Sequence, residues 1–386
     1  MSCFEKGITR RGTNCVKWDV PFITEDTIPM WVADMDFEIA PAITKRLQEI
    51  AIQGAFGYQF LSDQYYQSVI SWMKRRHQYT LIKEEICYIP NVVMGLSLAV
   101  QTVSDKGDEI IIQTPVYGPF FSVVKDNERI LVESKLKCEN GYYIMDLEDF
   151  ERKITPKTKA VMICNPHNPS GRVWSREELE ALVAICVKHE LYIISDDIHC
   201  ELIAPGQTHT FISMLSEDIK NRCIVCTSPS KAFNLAGIHV ANALIANQEL
   251  RERYIQFAEK AYAAENNAFA EAALIGAYEE SEAWLEELNA YLAHNINYFV
   301  DYIHQHIPKL GICKPEGTYL VWVDCRNLNI EDEKIKEFLF EQCHIVVNEG
   351  EFFGTDGRGY VRFNLACPRA QVIEALKRLE AGINKL

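Results

Sequence analysis

Five residues with different chemistry each follow a short, apolar, β-rich run of this chain. They are an amine, a carboxylate, an amide, an imidazole and an aromatic ring: Lys231, Asp196, Asn168, His199 and Tyr117. The runs that precede them are Cys223–Thr227, Leu191–Ser195, Ala160–Asn165 and Glu109–Thr114. Because open α/β sheets bind ligands beyond the carboxyl ends of their strands, we expect these groups to converge at one sheet edge. Such a convergence is what a cofactor site requires.

The elements that must position these residues alternate between strands and helices. Seven runs predict strands, and several are apolar at consecutive positions, which is typical of a mostly parallel sheet covered on both faces. They are Ile86–Pro90, Glu109–Thr114, Ile130–Leu136, Ala160–Asn165, Leu191–Ser195, Cys223–Thr227 and Val240–Ala246. Ser175 with Glu178 forms a capping box that predicts the start of a helix over Arg176–His189.

The last third of the chain has a different pattern. Long helices rich in Ala, Glu and Leu are predicted from Gln248 to about His306, followed by strands at Thr318–Asp324 and Tyr360–Leu365. Helices are predicted at Asp332–Gln342 and from Arg369 onward. We therefore predict an α/β protein with a large domain at residues 46–287 and a smaller α+β domain made of residues 1–45 and 288–386.

Composition excludes several functional classes. The 386 residues include 39 basic and 54 acidic side chains, a net charge of −15, which argues against a nucleic-acid or anionic-membrane partner. No apolar run approaches the roughly 20 residues that span a bilayer, and the charged first residues do not predict a signal peptide. The 13 cysteines are scattered, so we expect free thiols in a cytoplasmic protein. Cys223 and Cys226 form a C-x-x-C pair, but within an apolar run they predict strand rather than a redox or metal site, and no metal site is predicted.

Three motifs resemble those of pyridoxal 5′-phosphate (PLP) enzymes of fold type I, in the class I/II aminotransferase family. They are Asn165-Pro-His-Asn-Pro-Ser-Gly171, Ser195-Asp-Asp-Ile-His199 and Ser228-Pro-Ser-Lys-Ala-Phe-Asn-Leu-Ala-Gly237. Two N-terminal motifs, Arg11-Gly-Thr-Asn-Cys-Val-Lys-Trp-Asp19 and Pro29-Met-Trp-Val-Ala-Asp-Met-Asp-Phe37, resemble the cystathionine β-lyase (C–S lyase) branch of MalY/PatB type. The resemblance covers residues 9 to 369 and implies PLP as cofactor.

The resemblance implies a role for each residue at the sheet edge. Lys231 would hold PLP as a Schiff base, and Asp196 would pair with the pyridine nitrogen. Asn168 would donate to the 3′-oxygen, whereas Asn165 and Asp197 are interpreted as turn residues. For His199 two interpretations stand side by side: a hydrogen bond near the 3′-oxygen, or support of Asp196 from the core.

Further residues are matched to the phosphate and the substrate. Tyr117 would stack on the ring and border the substrate. The backbone of Gly95 and Leu96, with the hydroxyls of Ser228 and Ser230, would hold the phosphate.

Two predictions concern the substrate and a second subunit. Arg362, in Tyr360-Val-Arg-Phe-Asn-Leu-Ala366, would grip the substrate carboxylate, for which its planar fork is suited. Tyr58 would reach the phosphate of the neighbouring subunit, which implies a homodimer. One departure is His239, which stands where many aminotransferases have a phosphate-binding arginine eight residues after the lysine.

The implied reaction is cleavage of L-cystathionine or related S-substituted L-cysteines to a thiol, pyruvate and ammonia. Lys231 would remove the Cα proton and a thiolate would leave from Cβ. Two alternatives remain open. One is an aminotransferase that uses an L-amino acid and a 2-oxo acid. The other is a regulatory protein that binds a transcription factor, although the retained Lys231, Asp196 and Arg362 favour catalysis.

Overall fold

The computed structural model describes residues 3–386. In this range it contains the helices α1 (Pro41–Gln53), α2 (Asp63–His77), α3 (Val92–Val103), α4 (Pro119–Asp126), α5 (Leu147–Arg152), α6 (Arg176–Lys188), α7 (Glu217–Lys220), α8 (Gln248–Lys260), α9 (Ala268–Glu280), α10 (Glu282–His306), α11 (Asp332–Cys343) and α12 (Arg369–Ile383). The strands are β1 (Ile28–Pro29), β2 (Ile86–Ile89), β3 (Glu109–Thr114), β4 (Ile130–Lys135), β5 (Lys137–Glu139), β6 (Tyr142–Ile144), β7 (Thr158–Cys164), β8 (Tyr192–Asp196), β9 (Cys223–Thr227), β10 (Ala241–Leu244), β11 (Gly311–Ile312), β12 (Leu320–Asp324), β13 (Ile345–Val346), β14 (Asn348–Glu349) and β15 (Tyr360–Asn364).

The central sheet has seven strands in the order β2-β10-β9-β8-β7-β3-β4. The pairs from β9 to β4 are parallel, and β10 runs antiparallel to both of its neighbours. The predicted mostly parallel seven-stranded sheet is therefore confirmed, with strand ends displaced by no more than two residues.

Both faces of this sheet are buried, which explains the runs of consecutive apolar residues. On β3, Ile110 and Ile112 pack into a cluster with α3, α4 and α8, whereas Ile111 packs into the cluster on the opposite face. Helix α6 begins at the predicted capping box, where the Ser175 hydroxyl accepts from the Glu178 N–H and the Glu178 carboxylate accepts from the Ser175 N–H.

A second unit is formed by the C-terminal residues and part of the N-terminal segment. Its antiparallel sheet has the order β11-β12-β15-β14, and β1 pairs in parallel with β13, so the N-terminal segment folds back onto it. Helix α10 joins the two units, because Leu288 packs into the large core and Ile296 into the small one. On the basis of this packing we propose that the large domain comprises residues 46–287 and the small domain residues 1–45 and 288–386, as predicted. Residues 1 and 2 lie outside the described residues.

None of the helices found between residues 3 and 386 combines the length and the apolar character needed to cross a membrane.

Candidate active site

A cavity of about 210 Å³ lies at the carboxyl edge of the parallel strands. Its walls come from the loops that follow β2, β3, β7, β8 and β9. Seven of the residues singled out from the sequence line it: Tyr117, Asn168, Asp196, His199, Ser228, Ser230 and Lys231. The structure thus brings together residues that are up to 114 positions apart (231 − 117) because five strands end at one edge.

Lys231 lies in the turn after β9, and its Nζ donates to the carbonyl of Ala33 at 2.6 Å. Burial, together with the positive charge of Arg362, lowers the pKa of the Lys231 amine to about 8. About a tenth of the amine is therefore neutral at pH 7, far more than for an ordinary lysine, and the neutral amine is the state that acts as nucleophile and base.

Asp196 is the last residue of β8 and is buried, and its Oδ1 accepts from the Ile198 N–H at 3.1 Å. Burial raises the pKa of this carboxyl to about 7, well above its usual value of 3.8. A cationic N–H partner would stabilise the ionised form of this buried carboxyl and lower its pKa again. The next residue, Asp197, is also buried and points elsewhere, with its Oδ1 2.9 Å from His209 Nε2.

Arg362 is a buried arginine in the middle of β15. Its Nη1 donates to Asn168 Oδ1 at 3.0 Å, and its Nη2 donates to Asn348 Oδ1 at 2.6 Å and to the Trp31 carbonyl at 3.0 Å. The guanidinium lies 4.9 Å from the centre of the Phe353 ring. Among the described residues no carboxylate is within ion-pair distance of it, and its buried Nε–H has no hydrogen-bond partner. A buried cation in this state is suited to an anionic ligand.

His199 and Asn168 present unused polar groups near these charges. His199 Nδ1 is buried and makes no hydrogen bond, and burial lowers the pKa of this imidazole so that it stays neutral. Its ring packs edge-on against Tyr319, whose hydroxyl donates to the same Ala33 carbonyl that accepts from Lys231. Because Asn168 Oδ1 already accepts from Arg362, the amide nitrogen of Asn168 is the group left to donate to a ligand.

The placement predicted for Gly95 and Leu96 is wrong. Helix α3 begins earlier, at Val92, after Asn91, whose side chain caps the Met94 N–H at 2.9 Å. The Gly95 N–H is one turn into the helix and donates to the Asn91 carbonyl, so it cannot bind a ligand. Gly95 serves packing, since a Cβ there would lie 2.3 Å from Ile89 Cδ1. Leu96 is fully buried in the apolar core on that face of the sheet.

The first turn of α3 instead places Val92 and Val93 at the cavity wall. Backbone N–H groups at the first positions of a helix have no partner within the helix, so they can hold an anion. Across the cavity, Ser228 Oγ donates to the Val240 carbonyl at 2.6 Å and accepts from the Ser230 N–H at 3.0 Å. His239 lines the same wall.

Tyr58 lies outside this cavity and is fully exposed. It belongs to a loop between α1 and α2 in which Phe56 and Phe60 are also exposed. Within one chain, therefore, Tyr58 is not brought to the other predicted residues. A segment with three exposed aromatic side chains is typical of a surface that another chain covers.

Several residues at the site were not found from the sequence. Two carbonyls, of Trp31 and Ala33, hold Arg362 and Lys231, and a backbone acceptor has no residue-type signature. Asn348 and Tyr319 come from the small unit and carried no motif. Asn91 follows a strand and precedes an apolar helical run, a pattern that predicts an N-cap. This pattern indicates that Val92 and Val93 form the first turn of the helix.

The chain belongs to the class I and II aminotransferase family, whose sequence profile matches residues 25–379. It is 35% identical over 385 residues to cystathionine beta-lyase PatB of Bacillus subtilis, covering 99% of this chain and 100% of that protein. A PLP-bound protein of Clostridium difficile 630, provisionally named an aminotransferase, superposes with a TM-score of 0.96 at 39% identity, covering 99% of both chains. The PLP-bound C-S lyase of Staphylococcus hominis superposes with a TM-score of 0.93 at 33% identity, covering 98% of this chain and 97% of that one.

Proposed function

We propose that this protein is a PLP-dependent C–S β-lyase that cleaves L-cystathionine or related S-substituted L-cysteines to a thiol, pyruvate and ammonia. The observation that carries the proposal is a lysine of lowered pKa in the cavity together with a buried arginine behind the cavity wall, which donates to the lining residue Asn168 and has no carboxylate partner among the described residues. The names of the relatives, a cystathionine beta-lyase and a C-S lyase, support the choice of reaction.

The residues of the cavity fit PLP. Asp196 would hold the ring nitrogen, whose proton compensates the burial of the carboxylate. Tyr117 would cover one ring face. The amide nitrogen of Asn168 and the unpartnered His199 Nδ1 would bind the ring oxygen, and Lys231 would bind the aldehyde carbon.

The phosphate would be held by the N–H groups of Val92 and Val93, by the Ser230 hydroxyl, and by the Ser228 hydroxyl, which would turn toward it from the Val240 carbonyl. The cationic side chain usual at position 239 is replaced by histidine, so backbone dipoles carry more of the interaction here than an arginine-containing site would need.

In the reaction, bound PLP supplies an electron sink for the negative charge that develops at the substrate Cα. Arg362 would bind the substrate carboxylate, and Asn348 holds its guanidinium in place. Lys231 Nζ takes the Cα proton, and the Ala33 carbonyl, 2.6 Å from Nζ, stabilises the ammonium that forms. The electron pair at Cα would form a Cα=Cβ bond as the Cβ–S bond breaks with both its electrons going to sulfur, and the Lys231 ammonium would return its proton to the thiolate. Addition of water to the released three-carbon fragment would give pyruvate and ammonia.

We also propose a cytoplasmic homodimer in which Tyr58 reaches the phosphate region of the neighbouring site. The exposed aromatic segment that contains Phe56, Tyr58 and Phe60 supports it, since burial in a dimer would remove this apolar surface from water. The free thiols of the described cysteines support a reducing compartment.

The same residues also serve transamination, for which the name of the Clostridium difficile relative is the specific support. The deciding experiment follows thiol, pyruvate and ammonia released from L-cystathionine, with and without an added 2-oxo acid. The lyase proposal expects equal amounts of the three products without the acceptor. Keto-acid formation that depends on the acceptor, without thiol, would replace the lyase by an aminotransferase.

Cofactor binding is tested by the visible absorption of PLP added to the purified chain. The lysine-linked band should form with the wild type and with Lys45→Ala, an exposed control, and be lost in Lys231→Ala. A band that survives in Lys231→Ala would exclude this lysine as the attachment point.

A further inference from the structure

A second cavity, of about 530 Å³, lies on another part of the surface. An imidazole, a thiol and a carboxylate meet at its wall: His77, Cys200 and Glu201. One potential ligand atom from each lies within 4.8 Å of the others, so all three can reach a single point. From this geometry we propose that the protein binds one zinc-class cation through His77, Cys200 and Glu201. The proposal is independent of the reaction proposed above.

The donor set selects the kind of metal. An imidazole nitrogen, a thiolate and a carboxylate are ligands of Zn²⁺, which is four-coordinate with open positions filled by water. Mg²⁺ and Ca²⁺ prefer oxygen ligands, so two of these three groups disfavour them. The mouth of the cavity, at the exposed Gly206 and Gln207, gives solvent access, which supplies both an entry path and the fourth ligand.

The present contacts are compatible with exchange of a proton for a metal. His77 Nε2 lies 2.6 Å from Glu201 Oε1, a hydrogen bond in which one proton occupies the position between the two atoms. A tetrahedral ion in its place requires the two atoms to separate to about 3.3 Å. Cys200 Sγ is 3.9 Å from the same carboxylate oxygen and would bind as the thiolate after releasing its proton to water.

The residues around Glu201 can each keep a hydrogen-bond or ion-pair partner when a cation binds. Arg76 donates to Glu201 Oε2 at 3.3 Å, but it also pairs with Glu282 and Glu286, so its charge stays compensated if it moves away from Glu201. Trp72 donates its indole N–H to Glu201 Oε1 at 2.6 Å and fixes the orientation of the carboxylate. The Glu201 carbonyl accepts from Asn289, which holds the backbone of this turn.

The site connects elements that are distant in the chain. His77 ends α2, whereas Cys200 and Glu201 lie in the turn after β8, and His77 and Glu201 are 124 residues apart. This separation explains why no metal motif was found in the sequence. Because a ligand that binds only the folded state stabilises it, Zn²⁺ should raise the thermal midpoint of the protein.

The test is a titration of the PLP-loaded protein with Co²⁺ as a spectroscopic substitute for zinc. We expect one Co²⁺ per chain, with the red-region bands of tetrahedral cobalt and a thiolate charge-transfer band, all removed by added Zn²⁺. Cys200→Ser should abolish the thiolate band. His77→Gln, which keeps a hydrogen-bond donor toward Glu201, should weaken binding by more than about tenfold. Cys138→Ser, at an exposed thiol on β5, is the matched control and should behave as wild type.

The proposal is overturned if the wild type shows no tetrahedral cobalt bands, if the thiolate band persists in Cys200→Ser, or if it is lost in Cys138→Ser. If Cys200→Ser does not fold, the same decision follows from the thermal midpoint of His77→Gln. That variant should no longer respond to Zn²⁺, and a response equal to that of the wild type would contradict the assignment of His77.

Discussion

Replacing Arg362 by lysine tests the proposed carboxylate site directly, because the change keeps the positive charge and removes the planar fork. Three of the five guanidinium N–H groups are used, by Asn168, Asn348 and the Trp31 carbonyl, which leaves the Nε–H and one further N–H without a partner. A lysine at this position offers three N–H groups on one nitrogen, so it cannot replace the contacts to both asparagines and the Trp31 carbonyl and still donate to a carboxylate.

The expected loss follows from one charge-assisted hydrogen bond. Such a bond contributes about 1.5–3 kcal/mol. Since about 1.4 kcal/mol corresponds to tenfold in rate, Arg362→Lys should lower kcat/KM for an S-substituted L-cysteine by about 10- to 150-fold. The matched control is Arg358→Lys, at an exposed arginine that pairs with Glu351 at 2.6 Å, and it should change kcat/KM by less than about fivefold.

The assay measures pyruvate and thiol release, with PLP binding and the thermal midpoint followed in parallel to show that the variant is folded and loaded. A second substrate that lacks the carboxylate, an S-substituted cysteamine, separates the local effect from a general one, because its slow turnover should be equally slow in wild type and variant. The reasoning is refuted if Arg362→Lys retains kcat/KM within threefold of wild type, or if the cysteamine loses as much as the amino acid.

Three further predictions address the other groups of the site. In the PLP-free protein the pKa of Lys231 is lowered to about 8, so acylation of this amine should reach half its maximal rate near pH 8, as followed by mass spectrometry. The same pH dependence of acylation at Lys231 and at the exposed Lys45 would contradict this. The folded-state pKa of Asp196, raised to about 7 from 3.8, means that the folded state holds this proton more tightly, so the free energy of unfolding of the PLP-free protein should fall between about pH 4 and pH 7. The fall should amount to at most about 4 kcal/mol. In urea denaturation, the free energy of unfolding of Asp196→Asn should depend less on pH than that of the wild type. An equal dependence on pH would contradict the assignment of the raised pKa to Asp196. If Tyr58 acts across a dimer, mixing Tyr58→Ala with Lys231→Ala subunits should restore about a quarter of wild-type activity, since a heterodimer has one intact site, whereas no gain on mixing would place Tyr58 outside the neighbouring site.

The sheet and the residues at its edge could be predicted because both depend on local patterns. Strands buried on two faces must be apolar at successive positions, as Ile110, Ile111 and Ile112 show. Side chains such as Lys231 and Asp196 then stood out because charged groups directly after such strands are expected at the ligand edge.

The helix terminus at the cavity was misplaced for a physical reason. A glycine near a helix start suggested a backbone cradle, but at Gly95 the missing side chain makes room for Ile89 and Cys226. The terminus itself is set by the Asn91 side chain, which caps the helix one turn earlier. Partners that are far apart in sequence, such as the Ala33 carbonyl for Lys231 or His77 for Glu201, depend on tertiary packing and leave no local pattern.

The electrostatics of the cavity explain how a chain of net charge −15 can accommodate anionic groups. Burial drives Lys231 and Asp196 toward their neutral forms, with pKa values of about 8 and about 7, while Arg362 keeps its charge without a carboxylate partner. A ligand that places a protonated nitrogen beside Asp196 and a carboxylate beside Arg362 compensates both buried groups at once. The cavity therefore favours ligands that carry both signs of charge, and an amino acid next to a protonated pyridine ring has this distribution, whereas the acidic outer surface contributes only long-range repulsion that salt screens.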